Sequence, residues 1–476
     1  MPRRAPRTSR KALLTVGLAM AVGVLVAAGA TGPGPVRTSW SQDSAPEPAQ
    51  QQPPAEPAVT GPPRMEIEGR FFTAGGEPLF WLGDTAWALL GKLDRADTVR
   101  YLDARSEQGY NVIQAVAIFP QAGANRPIRG DVRSAPDHGA FWDNVDFVID
   151  AAAERGMYLA IHPVWGDKQT GSVVDEGNAR GYGRFLGERY GDRGNVTWTL
   201  GGDHPAGGEE RLWGNLAEGL REGGATQLTT YHPQGDQTSA QWFAGADWLD
   251  FHMIQGGHCL RYGVRQRLIE TTYDARPAKP FIDGEPIYEE HPYCWESDRG
   301  FSTAQDVRRD AWWAVLGGAA GHTYGAHSVW QFNDGGRGAL GARGSWTDAL
   351  RLPAGGQMVH LRELMESLPF QLGVPDQSVI TSETGSGKDR IVANRASDGS
   401  YLLVYTPSGG GFALDPAATS GLTTARWFDP RTGAFRDTTP GERFDPPSDE
   451  DWVLLLTGPD APGPGGPGDA AAEPVS

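Results

Sequence analysis

Asn195-Val-Thr-Trp-Thr-Leu-Gly-Gly-Asp-His-Pro205 is the stretch on which the reading of this chain turns. Asn195–Leu200 alternates small polar residues with β-branched and aromatic ones, a pattern that predicts a short strand. Gly201 and Gly202 end it and let the backbone turn sharply before Asp203. Leu212, Leu216 and Leu220 then recur at a spacing of four, which predicts a helix over 209–222. An acid on a glycine-led loop between a strand and a helix stands where barrel enzymes hold reactive groups. Pro280-Phe-Ile-Asp-Gly-Glu-Pro-Ile287 repeats the arrangement, with Glu285 after a strand and a glycine.

Outward from this stretch, strand-like and helix-like segments alternate. Upstream come strands at 79–84, 111–119 and 157–165, with helices at 94–108, around Val145, Val148, Ile149 and Ala152, and at 176–190. Asn111–Phe119 is a nearly continuous apolar run, as a strand covered on both faces requires. Downstream come strands at 226–231, 249–254, 279–283 and 322–332. They are followed by a short segment at 240–245 and helices at 264–273, after a capping box Ser302-x-x-Gln305, and along Met358, Leu361, Leu364, Met365 and Leu368. Eight such units predict an α/β fold, a right-handed (β/α)8 TIM barrel over 64–369. A doubly wound sheet would show the same alternation, but no Gly-rich nucleotide fingerprint follows the first strand.

After Phe370 the pattern becomes short strand-like runs at 378–380, 390–393, 401–405, 425–428 and 452–456. Turn chemistry separates them at Pro407–Gly411 and Asp429–Gly433. A small all-β sandwich over 370–457 is expected, with packing beside the barrel as its simplest role. At the N-terminus, Arg3, Arg4, Arg7, Arg10 and Lys11 precede the apolar run Ala12–Val26 and the small residues Ala28-Gly29-Ala30, the layout of an export signal over 1–30. The apolar run is long enough that an uncleaved membrane anchor is the alternative. A secreted, extracellular location follows as an expectation. Segments 31–63 and 458–476, rich in Pro, Ala, Gly and small polar residues, cannot bury enough apolar surface to offset their ordering entropy and read as a disordered linker and tail.

The formal net charge of −17 and pI of about 5.0 argue against nucleic acid and anionic membranes as partners. Sixteen tryptophans suit a site that stacks on sugar C–H faces. The strand ends supply the candidates: Asp84 and Trp87, Gln114, His162 and Trp165, Asp203 and His204, His232, Gln255, Glu285 and Tyr288, Tyr324 and Trp330. Glycosidic hydrolysis needs one carboxyl to protonate the leaving oxygen and another to attack or to activate water. Asp203 fits the acid and Glu285 the nucleophile, and Asp84 is assigned to sugar hydroxyls. Asp283 is expected to point into the barrel or the helix layer, and Glu289 to face solvent. The alternative is a metal-dependent barrel hydrolase built on His162, His204, His232 and His252. The chain lacks the His-x-His or His-x-x-x-His spacing such sites commonly use, so no metal or other cofactor is expected. A Ser hydrolase is disfavoured because no Gly-x-Ser-x-Gly elbow occurs. A non-catalytic protein that holds matrix or glycan through the β-domain is the other class considered. Cys259 and Cys294 fall on loops at one barrel face and are expected to bridge.

Four separated motifs resemble a known family: Phe71–Trp87 (Phe-Phe-Thr-Ala-Gly-Gly-Glu-Pro-Leu-Phe-Trp-Leu-Gly-Asp-Thr-Ala-Trp), Gly109-Tyr-Asn-Val-Ile-Gln114, Trp198-x-x-Gly-Gly-Asp203 and Asp283-Gly-Glu-Pro286. These are similar to the apiosidase-like glycoside hydrolases. Ala425-Arg-Trp-Phe-Asp-Pro-Arg-Thr-Gly433 and Asp451-Trp-Val-Leu-Leu-Leu456 resemble the small β-domain that follows them, which carries a collagen-binding label. The resemblance covers about 64–457. It implies a retaining (β/α)8 enzyme with acid/base Asp203 after strand four and nucleophile Glu285 after strand seven. The family's characterised activity, release of apiose from a side chain of rhamnogalacturonan II, implies a polysaccharide or oligosaccharide substrate. A monomer is expected.

Overall fold

A computed structural model describes residues 61–119, 131–336 and 338–459. The expected signal segment at 1–30, and most of the linker and tail, lie outside the described residues. Three short antiparallel strands come first: β1 Met65–Glu68, β2 Phe71–Ala74 and β3 Glu77–Leu79. The sequence pattern had not announced them. Their apolar side chains Met65 and Phe72 pack with Trp81, Val112, Tyr158, Phe251 and Ile282. Most of these lie at or near the starts of barrel strands, so the small sheet plugs the barrel's N-terminal end.

The barrel strands are β4 Trp81–Thr85, β5 Val112–Ile118, β6 Tyr158–Val164, β7 Val196–Gly201, β8 Thr229–His232, β10 His252–Gln255, β11 Phe281–Glu285 and β12 Gly321–Tyr324, all parallel where they pair. A two-residue strand, β9 Gln237–Thr238, pairs antiparallel to β10. The sheet runs β8-β7-β6-β5-β4-β12-β11-β10-β9. Its remaining seam, between β8 and β10, is joined by Asp250 N–H donating to Thr229 O (2.8 Å) and Thr230 Oγ1 donating to Phe251 O (2.7 Å). Every barrel strand is buried along its whole length, which is why these segments read as apolar runs rather than alternating ones. Among the described residues no helix is long and apolar enough to cross a membrane.

Three local expectations need correction. The eighth strand stops at Tyr324 instead of running to 332, because the chain beyond it pairs with the loop after β11: Glu289 N–H donates to Gly325 O and His327 N–H to Glu289 O. The helix Ala304–Leu316 is capped by Thr303 with Asp306, not by Ser302 with Gln305. The Ser302 hydroxyl is engaged with Tyr288 O and His291 N–H. Ser378–Ile380 is not a strand; Asp376 accepts from Ser378 N–H and winds Gln377–Val379 into a short 3-10 turn.

The C-terminal residues form a six-stranded antiparallel sheet, centred on Tyr401–Thr406, Trp452–Thr457 and Thr424–Phe428, and a two-stranded ribbon, Phe412–Ala413 with Arg443–Phe444. Phe412 and Phe444 pack against Trp427 on one face of the larger sheet. The other face takes the helix Ala304–Leu316, buried from Asp306 onward. Trp312 stacks on Tyr405 at 5.9 Å, and Arg308 forks onto Asp451 with both side chains almost fully buried. A buried bidentate pair of this kind fixes orientation, because removing either partner leaves an uncompensated charge.

Candidate active site

The two carboxylates meet at the C-terminal end of the barrel. Gly201 (φ 82°), Gly202 (φ 118°) and Asp203 (φ 46°) are three successive left-handed residues. A Cβ on Gly201 would lie 2.5 Å from His232 O, and one on Gly202 would lie 2.7 Å from the Trp165 ring. The turn that presents Asp203 therefore requires both glycines. Asp203, with its side chain, adopts a conformation that is rare outside glycine and concentrated at functional sites. Its N–H donates to His232 Nδ1 (3.4 Å), and its Oδ1 accepts from Gln255 Nε2 (2.7 Å). A register shift between Ile254 and Gln255 sets Gln255 opposite Glu285 on β11 and directs it to this task.

Glu285 ends β11 and is almost fully buried. Its Oε1 accepts from His258 Nε2 at 3.0 Å, and His232 Nε2 lies 2.9 Å from Oε2, close but off the line of an ideal hydrogen bond. Because His232 Nδ1 accepts the Asp203 N–H, the ring proton resides on Nε2, facing Glu285. Atoms of Asp203, His232 and Glu285 lie within 4.8 Å of one another.

Electrostatics separates the two carboxyls. Burial and then the Glu285 charge push Asp203 up to about 6, with His232 and Gln255 opposing. Burial alone would raise Glu285 too, but its bonds to His232 and His258 outweigh this and hold it well below the ordinary carboxylate range. One carboxyl thus keeps its proton to mildly acidic pH while the other is ionised, the division of labour that acid and nucleophile require.

The carboxyls open onto a cavity of about 360 Å³ walled by Trp87, Trp165, Tyr288, Trp295 and Trp330. A second space of about 280 Å³ adjoins it, bordered by Gln234, Asp236, Gln255, His258 and Arg261. Asp203 borders both, whereas Glu285 borders only the first.

Of the candidates named from sequence, Trp87, Trp165, Tyr288 and Trp330 line the first cavity, and Gln255 borders the second. His232 braces both carboxyls. His162 is buried beneath the wall among Trp87, Trp165 and His232, with no protein partner for either ring nitrogen among the described residues. Burial drives its pKa well down, so it is a neutral packing element.

Five placements correct the expectations. Asp84 does not face a sugar: it is buried in the helix layer, accepting from Tyr101 Oη (2.5 Å) and Arg105 Nε (2.7 Å). Gln114 donates to Gly284 O and supports β11 from behind. His204 turns to Glu209 (2.8 Å). Tyr324 donates to Glu289 Oε2 (2.7 Å), and none of these four lines the cavity. Glu289, expected in solvent, is buried and accepts Ala354 N–H at the start of the helix Pro353–Glu366. Asp283 does point into the helix layer, to Arg265 (2.8 Å), which also binds Asp310. Asp84 and Asp283 are strand residues whose neighbours in sequence face inward; they face outward, where Tyr101, Arg105 and Arg265 from the helices claim them.

The four histidines of the metal reading do not gather. His204 is on Glu209, and His252 faces Ser239 Oγ at 3.2 Å on the β9 side. The trio Asp203, His232 and Glu285 is close enough for a cation by distance. One oxygen of each carboxyl is already engaged, however, Asp203 Oδ1 by Gln255 and Glu285 Oε1 by His258, and with Nδ1 accepting from Asp203 N–H, His232 presents a protonated Nε2 rather than a lone pair. The set fits a hydrogen-bonded carboxyl pair better than a metal. Cys259 and Cys294 are bridged, with Cα atoms 4.6 Å apart. Sequence reasoning missed His258, which bonds Glu285, and His291, His327 and Trp295, which cluster behind His258. All lie in loops beyond strand ends, where no periodicity marks them.

The profile "Apiosidase-like, catalytic domain" matches residues 66–371, and "Putative collagen-binding domain of a collagenase" matches 374–457. Among solved structures, one titled "Glycoside hydrolase" is 34% identical with a TM-score of 0.79, covering 84% of this chain and 98% of its own. A glycoside hydrolase family 5 protein from Bacteroides vulgatus is 33% identical with a TM-score of 0.78, covering 84% and 94%. No curated protein matches the chain.

Proposed function

Because the chain belongs to the apiosidase-like family of glycoside hydrolases, we propose that it is a retaining enzyme acting on a plant or microbial polysaccharide, with Asp203 as acid/base and Glu285 as nucleophile. The observation that carries this reading is the separation of the two carboxyls, with oxygens within 4.8 Å. Retaining pairs stand about 5–5.5 Å apart and inverting pairs about 6.5–9.5 Å, the larger gap leaving room for a water.

Glu285, ionised and held by two imidazoles, attacks the anomeric carbon as Asp203 gives its proton to the departing oxygen. A glycosyl ester on Glu285 results. With the Glu285 charge gone, Asp203 loses the neighbour that raised its pKa and becomes the base that takes a proton from the incoming water. Since Glu285 must touch the anomeric carbon and Asp203 the bridging oxygen, the sugar being released occupies the tryptophan-walled cavity. The leaving group occupies the polar space that only Asp203 reaches. Indole faces suit the C–H surface of a sugar ring, and the glutamines with the Arg261–Asp236 pair suit a hydroxylated leaving group.

The resemblance makes pectic side chains the first substrates to try. Work outside the cytoplasm is part of the proposal, supported by the Cys259–Cys294 bridge, which persists in oxidising surroundings. The β-domain, anchored through Arg308–Asp451, is proposed to brace the barrel. The test is a screen of sugar release from pectic, arabinan and galactan substrates. Release by the native protein that disappears in Glu285→Gln and Asp203→Asn supports the reading; release unchanged in both overturns it.

A further inference from the structure

We propose that the Cys259–Cys294 bridge serves catalysis: it holds His258 against Glu285 and Trp295 over the cavity, which makes His258 the positioning residue for the nucleophile. The inference rests on the reading of Glu285 given above. His258 immediately precedes Cys259, and Trp295 immediately follows Cys294, so the covalent link is one residue from each. Cys294 N–H donates to His258 O at 2.9 Å, which locks the two loops together beside the bridge.

His258 needs such help. Its Nε2 bonds Glu285 Oε1, but its buried Nδ1 has no protein partner among the described residues. The ring of His232, by contrast, is fixed from behind by the Asp203 N–H. What orients His258 is packing: a stack on His291 at 4.0 Å, Tyr288 at 4.5 Å and the edge of Trp295 at 5.2 Å. His291 is backed in turn by His327 at 4.3 Å. The loop that carries Trp295 has its own backbone hydrogen bonds, among them Tyr293 N–H to Gly300 O and Trp295 N–H to Pro292 O, but it holds strained positions. Glu290, Cys294 and Trp295 all adopt left-handed backbone (φ 61°, 54° and 66°), and Trp295 is 46% exposed. Such conformations persist only where the surroundings over-determine them, and the bridge is the one covalent constraint there.

The titratable groups facing Glu285 are His232 from β8, Asp203 after β7, His162 from β6, Tyr288 just beyond its own strand, and His258; Asp283 on the same strand acts on it only at a distance, from the helix layer beside Arg265. Removing the His258 bond takes away one of the two interactions that keep Glu285 ionised, so the acidic limb of the rate profile should move to higher pH.

The experiment measures kcat, KM and the pH profile on whichever glycan the release screen identifies, for His258→Ala, His258→Gln and the double variant Cys259→Ser/Cys294→Ser. Misplacement of a reacting group by about 1 Å costs on the order of 10²-fold. His258→Ala should lose about that factor in kcat with KM little changed, and its acidic limb should rise. His258→Gln, whose Nε2 donor reaches the same place, should recover much of both. The double serine variant should shift kcat and the limb in the same direction as His258→Ala. If that variant fails to fold, the folded native protein is treated with dithiothreitol. Two electrons and two protons open the bridge to two thiols as the reagent closes to its cyclic disulfide, and reoxidation should restore the rate. As a readout independent of substrate, carboxyl-13C glutamate labelling, with Glu285→Gln to assign the signal, should show the Glu285 titration moved upward in His258→Ala. Native kcat and an unmoved limb in folded His258→Ala, or in the folded bridge variant, would overturn the inference. If Glu285→Gln is itself fully active, the failure belongs to the functional reading instead.

Discussion

Replacing Glu285 with glutamine should lower the pKa of Asp203, and the size of the drop tests the proposed switch from acid to base. Asp203 stands at about 6 because it is desolvated and because Glu285 is ionised nearby. Two unit charges within 4.8 Å of each other, in an effective dielectric of about 20, interact by about 3.5 kcal/mol or more, which is about 2.5 pH units or more. Asp203 is only half-buried and water screens part of this, which brings the expected fall to about one to two units. It should stop above the ordinary aspartate value near 3.9, because the desolvation remains. Glutamine carries no charge and approximates Glu285 esterified by sugar, so the same fall is what the proposed mechanism needs for Asp203 to act as base in its second half. The assay is carboxyl-13C NMR of aspartate-labelled protein, native and Glu285→Gln, with Asp203→Asn to assign the resonance. A midpoint unmoved by the substitution, or moved upward, would refute the claim that Glu285 sets the protonation of Asp203.

Other outcomes follow from the same geometry. Since the proposed first step needs protonated Asp203, kcat/KM of the native protein should fall as pH rises through about 6, with the optimum on the acidic side, read from a rate profile over pH 3–9. Gly202→Ala should destabilise the fold by about 1–3 kcal/mol and lower activity, because φ 118° is foreign to alanine and its Cβ would press on Trp165; calorimetry and the release assay read the two effects. Asp84→Asn should cost about 3–5 kcal/mol by stranding the Arg105 charge, yet leave KM of the surviving folded enzyme near native; a large KM effect with native stability would restore Asp84 to sugar binding. Asp451→Ala should cost a similar amount by stranding Arg308, seen as a lower melting temperature of the whole chain rather than a separate transition for the β-domain.

The order of eight strand-and-helix units, the acids after strands four and seven and the change to short strands after Phe370 were all legible in the sequence. Each rests on local physics: apolar runs for strands buried on both faces, fourfold spacing for helices, and paired glycines where the chain must turn left-handed. The direction of a side chain near a strand end was not legible. Asp84 and Tyr324 carry the same chemistry as residues that line the cavity, but one step along a strand reverses the face; Glu289, in the loop after β11, is claimed by distant partners, Ala354 and Tyr324. Trp295 and the trio His258, His291 and His327 were equally hidden, because loops carry no period and their meeting depends on two chain segments brought together by the barrel and the disulfide. Local sequence thus determined where the two carboxyls stand along the chain; only closure of the barrel, which brings β7, β8 and β11 around one axis, determined that Asp203 and Glu285 share His232 and acquire opposite protonation preferences.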